Sequence, residues 1–171
     1  MRKVATKMFK TQSGKTIEIL ADHSHDIHLG WGKEKTFNGV CVSACLSFMG
    51  VLPQMYQKTQ NKGEASSIVV GRILRRFGYN VRSRKSIVKP PYKGAKFMMC
   101  GYTTAMRALK KFNKSSRQDP RGTVYYVTMS SDEGGHGLLV DREGTVLCDT
   151  AQYQGRGKRK KVWSIYAILP K

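Results

Sequence analysis

A chain of 171 residues fits one domain, and its 40% of apolar residues can build a core, which excludes a disordered chain. Thirty-one Lys and Arg against eleven Asp and Glu give a formal net charge of +20, a field that attracts polyanions and says nothing about fold. No run reaches the roughly 18 to 20 apolar residues of a membrane span, and the basic start MRKVATKMFK lacks the apolar stretch of a secretory signal.

In chain order, KVATKMF and KTIEIL flank the turn signal Gln12-Ser13-Gly14 and predict a hairpin. The polar, glycine-containing segment ADHSHDIHLGWGKEKTFNG follows without periodicity. Asn38 is a good N-cap, and Val42, Cys45, Leu46 and Met49 recur at helical spacing until Gly50. Pro53 opens a second short helix, PQMYQKTQ. In EASSIVVGRILRRFG a third helix turns Ile68, Val69, Ile73, Leu74 and Phe77 inward and Arg72, Arg75 and Arg76 outward, and Gly78 ends it. YNVRSRK reads as a short strand and SIVKPPYKGAKFMMCG as a loop broken by Pro90-Pro91. TTAMRALKKF is a helix capped at Thr103, with Met106, Leu109 and Phe112 on its core face. After Asp119-Pro120-Arg121-Gly122 the period becomes that of strands: TVYYVTM, HGLLVD, TVLCDT and KVWSIYAIL. Helices followed by an antiparallel sheet is an α+β pattern. The expectation is a single domain over 1–171, with a hairpin and loop at 1–37, a helical part at 38–113 and a sheet at 122–171.

The four cysteines, Cys41, Cys45, Cys100 and Cys148, form no CxxC pair and no disulfide framework, so they read as free thiols in a reducing compartment. A cysteine nucleophile attacks as the thiolate, which a helix N-terminus stabilises through its free amides and positive dipole end. A histidine supplies a proton relay, and a third residue fixes its tautomer. Cys41 falls in the first turn after Asn38, at the edge of the apolar stripe. Cys45 lies within the stripe and reads as core. In GGHGLLVDREGTVLCDT, a turn at Glu143-Gly144 folds His136 and Asp149 to the same end of a hairpin, and Cys148 should face the other side from Asp149. The glycines at 134, 135 and 137 are read as room for a substrate backbone beside the ring.

These stretches resemble a family. GVCVSACLSFM is similar to the nucleophile helix, and GGHGLLVDREGTVLCDT to the hairpin, of the papain-like cysteine peptidase superfamily in its small, divergent YopT-like members. The resemblance covers roughly residues 38 to 50 and 122 to 169. It implies a papain-like fold, with the nucleophile helix packed on a C-terminal antiparallel sheet. It also implies Cys41 as nucleophile, His136 as general base and then acid, and Asp149 as orienter. The oxyanion would sit on the Cys41 amide and one side-chain donor. Where larger members carry a Gln before the Cys, this chain reads Lys35-Thr36-Phe37-Asn38, which makes Asn38 the donor candidate as well as the cap. Small basic proteins with this hairpin also resemble ones encoded by bacteriophages.

Two functions follow as expectations. The first is a thiol hydrolase cleaving an amide or isopeptide bond in a protein or peptide substrate. The second is an inactive scaffold that binds nucleic acid or a partner, as a virion protein would. Either would work in the cytoplasm, that of a host or inside a virion if phage-encoded. The sequence calls for no cofactor. His23, His25 and His28 lack zinc-signature spacing and read as a surface loop, with Trp31 in the same segment lining a groove or pinning the loop. Four basic runs suggest a positive surface: Arg72, Arg75 and Arg76; Arg82 and Arg84; Lys110 and Lys111; and Arg156, Lys158, Arg159, Lys160 and Lys161. Without a stacking or base-reading motif, these would contact phosphates only, with no base readout.

Overall fold

The computed structural model describes residues 5–21, 40–56, 66–88, 92–94, 99–131, 134–151 and 161–171. Strands β1 (Thr6–Lys10) and β2 (Thr16–Leu20) form the expected hairpin, a two-stranded sheet with Thr6 opposite Leu20. Helix α1 (Val40–Phe48) follows. Its burial is not the expected single stripe. Val42 through Leu46 are buried in succession, with Ser47 beyond them. Small residues at Ser43, Ala44 and Ser47 let neighbours close on several sides, and the Leu20 amide donates to Ser43 Oγ at 3.0 Å. Met49 is half-buried.

Gly50 ends α1 as expected. It takes φ +88°, a left-handed conformation, and the Val51 amide reaches back to Leu46 O at 2.9 Å. Helix α2 (Pro53–Tyr56) begins at its proline, while residues 57–60 of the expected segment lie outside the described residues. In α3 (Ser66–Arg76) the buried set is Val69, Val70, Ile73 and Leu74. Two of the inward assignments are corrected. Ile68 is 47% exposed because it lies across the wheel from that set at ~100° per residue. Phe77 is on the right bearing but follows the last helical residue, and it is 37% exposed.

Strand β3 (Asn80–Ser83) and a 3-10 turn (Lys85–Ile87) come next, then a two-residue strand β4 (Cys100–Gly101), too short to leave a sequence pattern. Helix α4 (Tyr102–Phe112) starts one residue before the expected cap at Thr103, and Gly101 takes the cap position. Ala105, Met106 and Leu109 are its buried face, with Phe112 half-buried.

The last four strands match the period change: β5 (Val124–Ser131), β6 (Gly134–Val140), β7 (Val146–Cys148) and β8 (Lys161–Leu169). They pair antiparallel in the order β3-β8-β5-β6-β7, with β4 also on β8. The part of the chain expected to be helical therefore gives two strands to this sheet. The result is a mixed α/β arrangement, with four helices and an antiparallel sheet among the described residues. Strand alternation divides the core. Tyr126, Leu139, Cys148 and Ile168 pack with α1, α2, α3 and β2 on one face. Tyr125, Val127, Met129, Leu138 and Val140 pack with α4 on the other. Behind α4, a polar chain closes the 113–123 segment: Tyr125 Oη donates to Asp119 Oδ2 at 2.6 Å, and Arg84 donates to both Asp119 oxygens. Among the described residues no helix is long and apolar enough to cross a membrane.

Candidate active site

Three elements bring the chemistry together. Cys41 is the second residue of α1, where backbone amides have no intrahelical acceptor. His136 lies near the start of β6, opposite Met129 of β5. Asp149 directly follows β7. Cys148 pairs with Leu139, so the next residue, Asp149, turns to the other sheet face, the one His136 shares. Cys148 faces the other way, into the core with Leu139. Because β7 stops at Cys148, it does not reach the level of His136, and α1 meets β6 there.

His136 Nε2 and Asp149 Oδ1 are 2.7 Å apart. The Ala151 amide donates to the same oxygen at 2.9 Å. The Cys41 thiol is the second hydrogen-bonding partner of the His136 ring. With Nε2 on Asp149, Nδ1 is the nitrogen left for sulfur. His136 is 8% exposed and Asp149 2%, while Cys41 is half-buried and reachable. The three side chains thus form one row from solvent to interior.

The charges follow from this packing. Burial by itself lowers the His136 pKa; the hydrogen bonds to Asp149 and Cys41 and their negative charge outweigh it, raising it from 6.5 to about 9. Burial pushes the Cys148 thiol up to about 12, aided by the Asp149 charge, and it raises Cys45 and Cys100 as well. Tyr102, at the start of α4, is held up at about 12 by burial and by the charge of Asp149. Burial therefore favours the neutral form of those three thiols.

The glycine reading is corrected at two positions. A Cβ on Gly137 would meet Tyr126 at 2.6 Å from Oη, and one on Gly135 would meet Trp163 at 3.2 Å. Aromatic rings fill the spaces assigned to a substrate backbone. Trp163 reaches its place through a bulge, since Thr128 pairs with Ser164 while Met129 pairs with Val162.

Asn38 lies outside the described residues, as do His23, His25, His28, Trp31, Arg156, Lys158, Arg159 and Lys160. The remaining basic residues divide between layers. Arg75 and Arg76 are exposed and Arg72 half-buried on α3, while Arg82, exposed on β3, points to the opposite sheet face, since it pairs with Ala167 of the α4-side core. Lys110 and Lys111 are exposed on α4, across the sheet, and Lys161 is exposed at the start of β8. The Arg84 guanidinium is committed to Asp119, its side chain only 18% exposed. A cleft lined by Lys110, Lys114, Arg121 and Arg142, with Asp141 and Glu143 on its wall, contains none of Cys41, His136 and Asp149. Sequence reasoning missed Gln12, which pairs with Asp149 from the tip of the β1–β2 hairpin. A glutamine in a turn signal carries no mark of a partner 137 residues away.

No family model, curated protein or solved structure matches this chain. Its class is therefore defined by its own geometry: a mixed α/β protein carrying Cys41, His136 and Asp149 in one hydrogen-bonded row.

Proposed function

We propose that this protein is a papain-like cysteine hydrolase acting on an amide or isopeptide bond. The observation that carries the reading is the row Cys41–His136–Asp149 at the N-terminus of α1. In the ion-pair form, the ring N–H on Nδ1 donates to the Cys41 thiolate. The sulfur attacks the carbonyl carbon, and its oxygen gathers charge near the Cys41 backbone amide. As the C–N bond breaks, His136 gives its proton to the leaving amine. Water then enters, His136 takes a proton from it, and the hydroxide displaces Cys41 from the thioester, releasing the acid. Asp149 remains ionised and keeps the imidazole oriented.

Alkylation tests the reading. Iodoacetamide labelling over a pH series, resolved by peptide mass spectrometry, should modify Cys41 well before Cys100, the other half-buried thiol. Cell extract exposed to the wild type should gain cleaved products absent with Cys41→Ala. Equal labelling of Cys41 and Cys100, with no difference between the extracts, would overturn hydrolysis. The charge of +20 would then favour the second reading, an inert scaffold that binds nucleic acid or another polyanion.

A further inference from the structure

We infer that Gln12 is a positioning residue, whose carboxamide fixes the main chain of Asp149 and thereby aims the carboxylate at His136. The inference rests on the reading of Cys41, His136 and Asp149 as a working triad. Asp149 stands one residue past the end of β7. Gln12 bonds to its main chain through both ends of the carboxamide. Its Nε2 donates to Asp149 O at 2.6 Å, and its Oε1 accepts from the Asp149 amide at 2.8 Å. A primary amide that donates and accepts on one residue copies a neighbouring strand's peptide group. The Ser13 amide adds a bond to Leu147 O at 3.2 Å, so the hairpin tip runs along the end of β7.

The same hairpin also grips the nucleophile helix. Lys15 Nζ donates to Phe48 O at 2.9 Å and sits 4.8 Å from the centre of the Phe48 ring, and Leu20 is tied to Ser43. One small sheet therefore holds α1, which carries Cys41, and the segment that carries Asp149. Losing the Gln12 pairing should let Asp149 drift and weaken the bond to His136, without removing any group that touches substrate.

Among the described residues, the ionisable groups that interact with the pair are Cys41 and Cys45 on α1, Cys148 on β7 and Tyr102 on α4. None of them is altered by a change at Gln12, so the His136 titration isolates the effect. The experiment is an NMR titration of the His136 imidazole in the full chain, assigned with His136→Gln. It compares the wild type, Gln12→Ala and Gln12→Met, the last keeping the side-chain length without its polar atoms. Thr6→Ala is the control, since it loses the hydrogen bond to Glu18 at the open end of the hairpin and nothing at Asp149. In both Gln12 variants the His136 midpoint should fall by at least about one unit toward the ordinary histidine range. Thr6→Ala should titrate like the wild type. A folded Gln12 variant with an unshifted midpoint, or an equal shift in Thr6→Ala, would overturn the inference. If Cys41 proves unreactive in the wild type, the catalytic reading fails while the titration still decides the role of Gln12.

Discussion

Replacing Gly137 by alanine puts one methyl group where the structure has no room. The new Cβ would lie 2.6 Å from Tyr126 Oη, 2.7 Å from Cε2 and 2.9 Å from Cζ. An ordinary contact begins near 3.4 Å, so the ring or β6 must yield by 0.8 Å (3.4 less 2.6). Tyr126 is 2% exposed and packed in the core beneath α1, so it cannot swing into solvent. Overpacking of this kind costs roughly 1–3 kcal/mol, which for a chain of this size lowers Tm by about 2–12 °C. His136 is the adjacent residue, and displacing it from Cys41 and Asp149 should slow alkylation of Cys41 about tenfold to a hundredfold. Thermal unfolding and the alkylation rate measure the two effects separately. A second substitution that shortens the ring, Tyr126→Leu, should cost less in the Gly137→Ala background than alone, because it relieves the clash. A Gly137→Ala protein within about 0.5 kcal/mol of the wild type, with Cys41 equally reactive, would refute the packing argument.

Asp149→Asn should bring the His136 midpoint down from about 9, because the carboxylate's hydrogen bond and charge help to raise it. The sign for stability follows from the raised value. The imidazolium favours the folded state fully below 6.5, and the contribution is lost as pH rises through about 9, on the order of 3 kcal/mol in all. The wild type should therefore weaken between those pH values and the variant much less; urea midpoints across pH 6 to 10 that fall equally in both would refute the coupling. Asp119→Asn acts at the opposite pH. Burial would raise the Asp119 pKa, but hydrogen bonds from Arg84 and Tyr125 hold it below the ordinary carboxylate value. Its contribution is present above the unfolded value near 3.8 and lost as pH falls through the lower folded one. The variant should lose about 1–3 kcal/mol at pH 7 and less in acid. A urea midpoint equal to the wild type at pH 7 would refute that role.

Much of the fold was legible because it rests on local chemistry. The strand period after residue 122, the Gly50 and Gly78 stops and the Gln12-Ser13-Gly14 turn each need only a few neighbouring residues to be recognised. The two-residue β4 was not legible, because it is defined by β8 and not by its own side chains. The outward turn of Ile68 depends on which face of α3 meets the sheet, and the even burial of α1 depends on what closes round it. The candidate site divides along the same line. Cys41 at a helix start, and His136 and Asp149 on one hairpin, could be picked from residue type and spacing. The contact of Cys41 with a histidine 95 residues later, the pairing of Gln12 with Asp149 and the rings over Gly135 and Gly137 could not. Sequence by itself determined which residues could do chemistry and which periods the chain would follow, since both are written in near neighbours. Tertiary structure decided which of those residues meet and what supports them, because such contacts join strands and helices from distant parts of the chain.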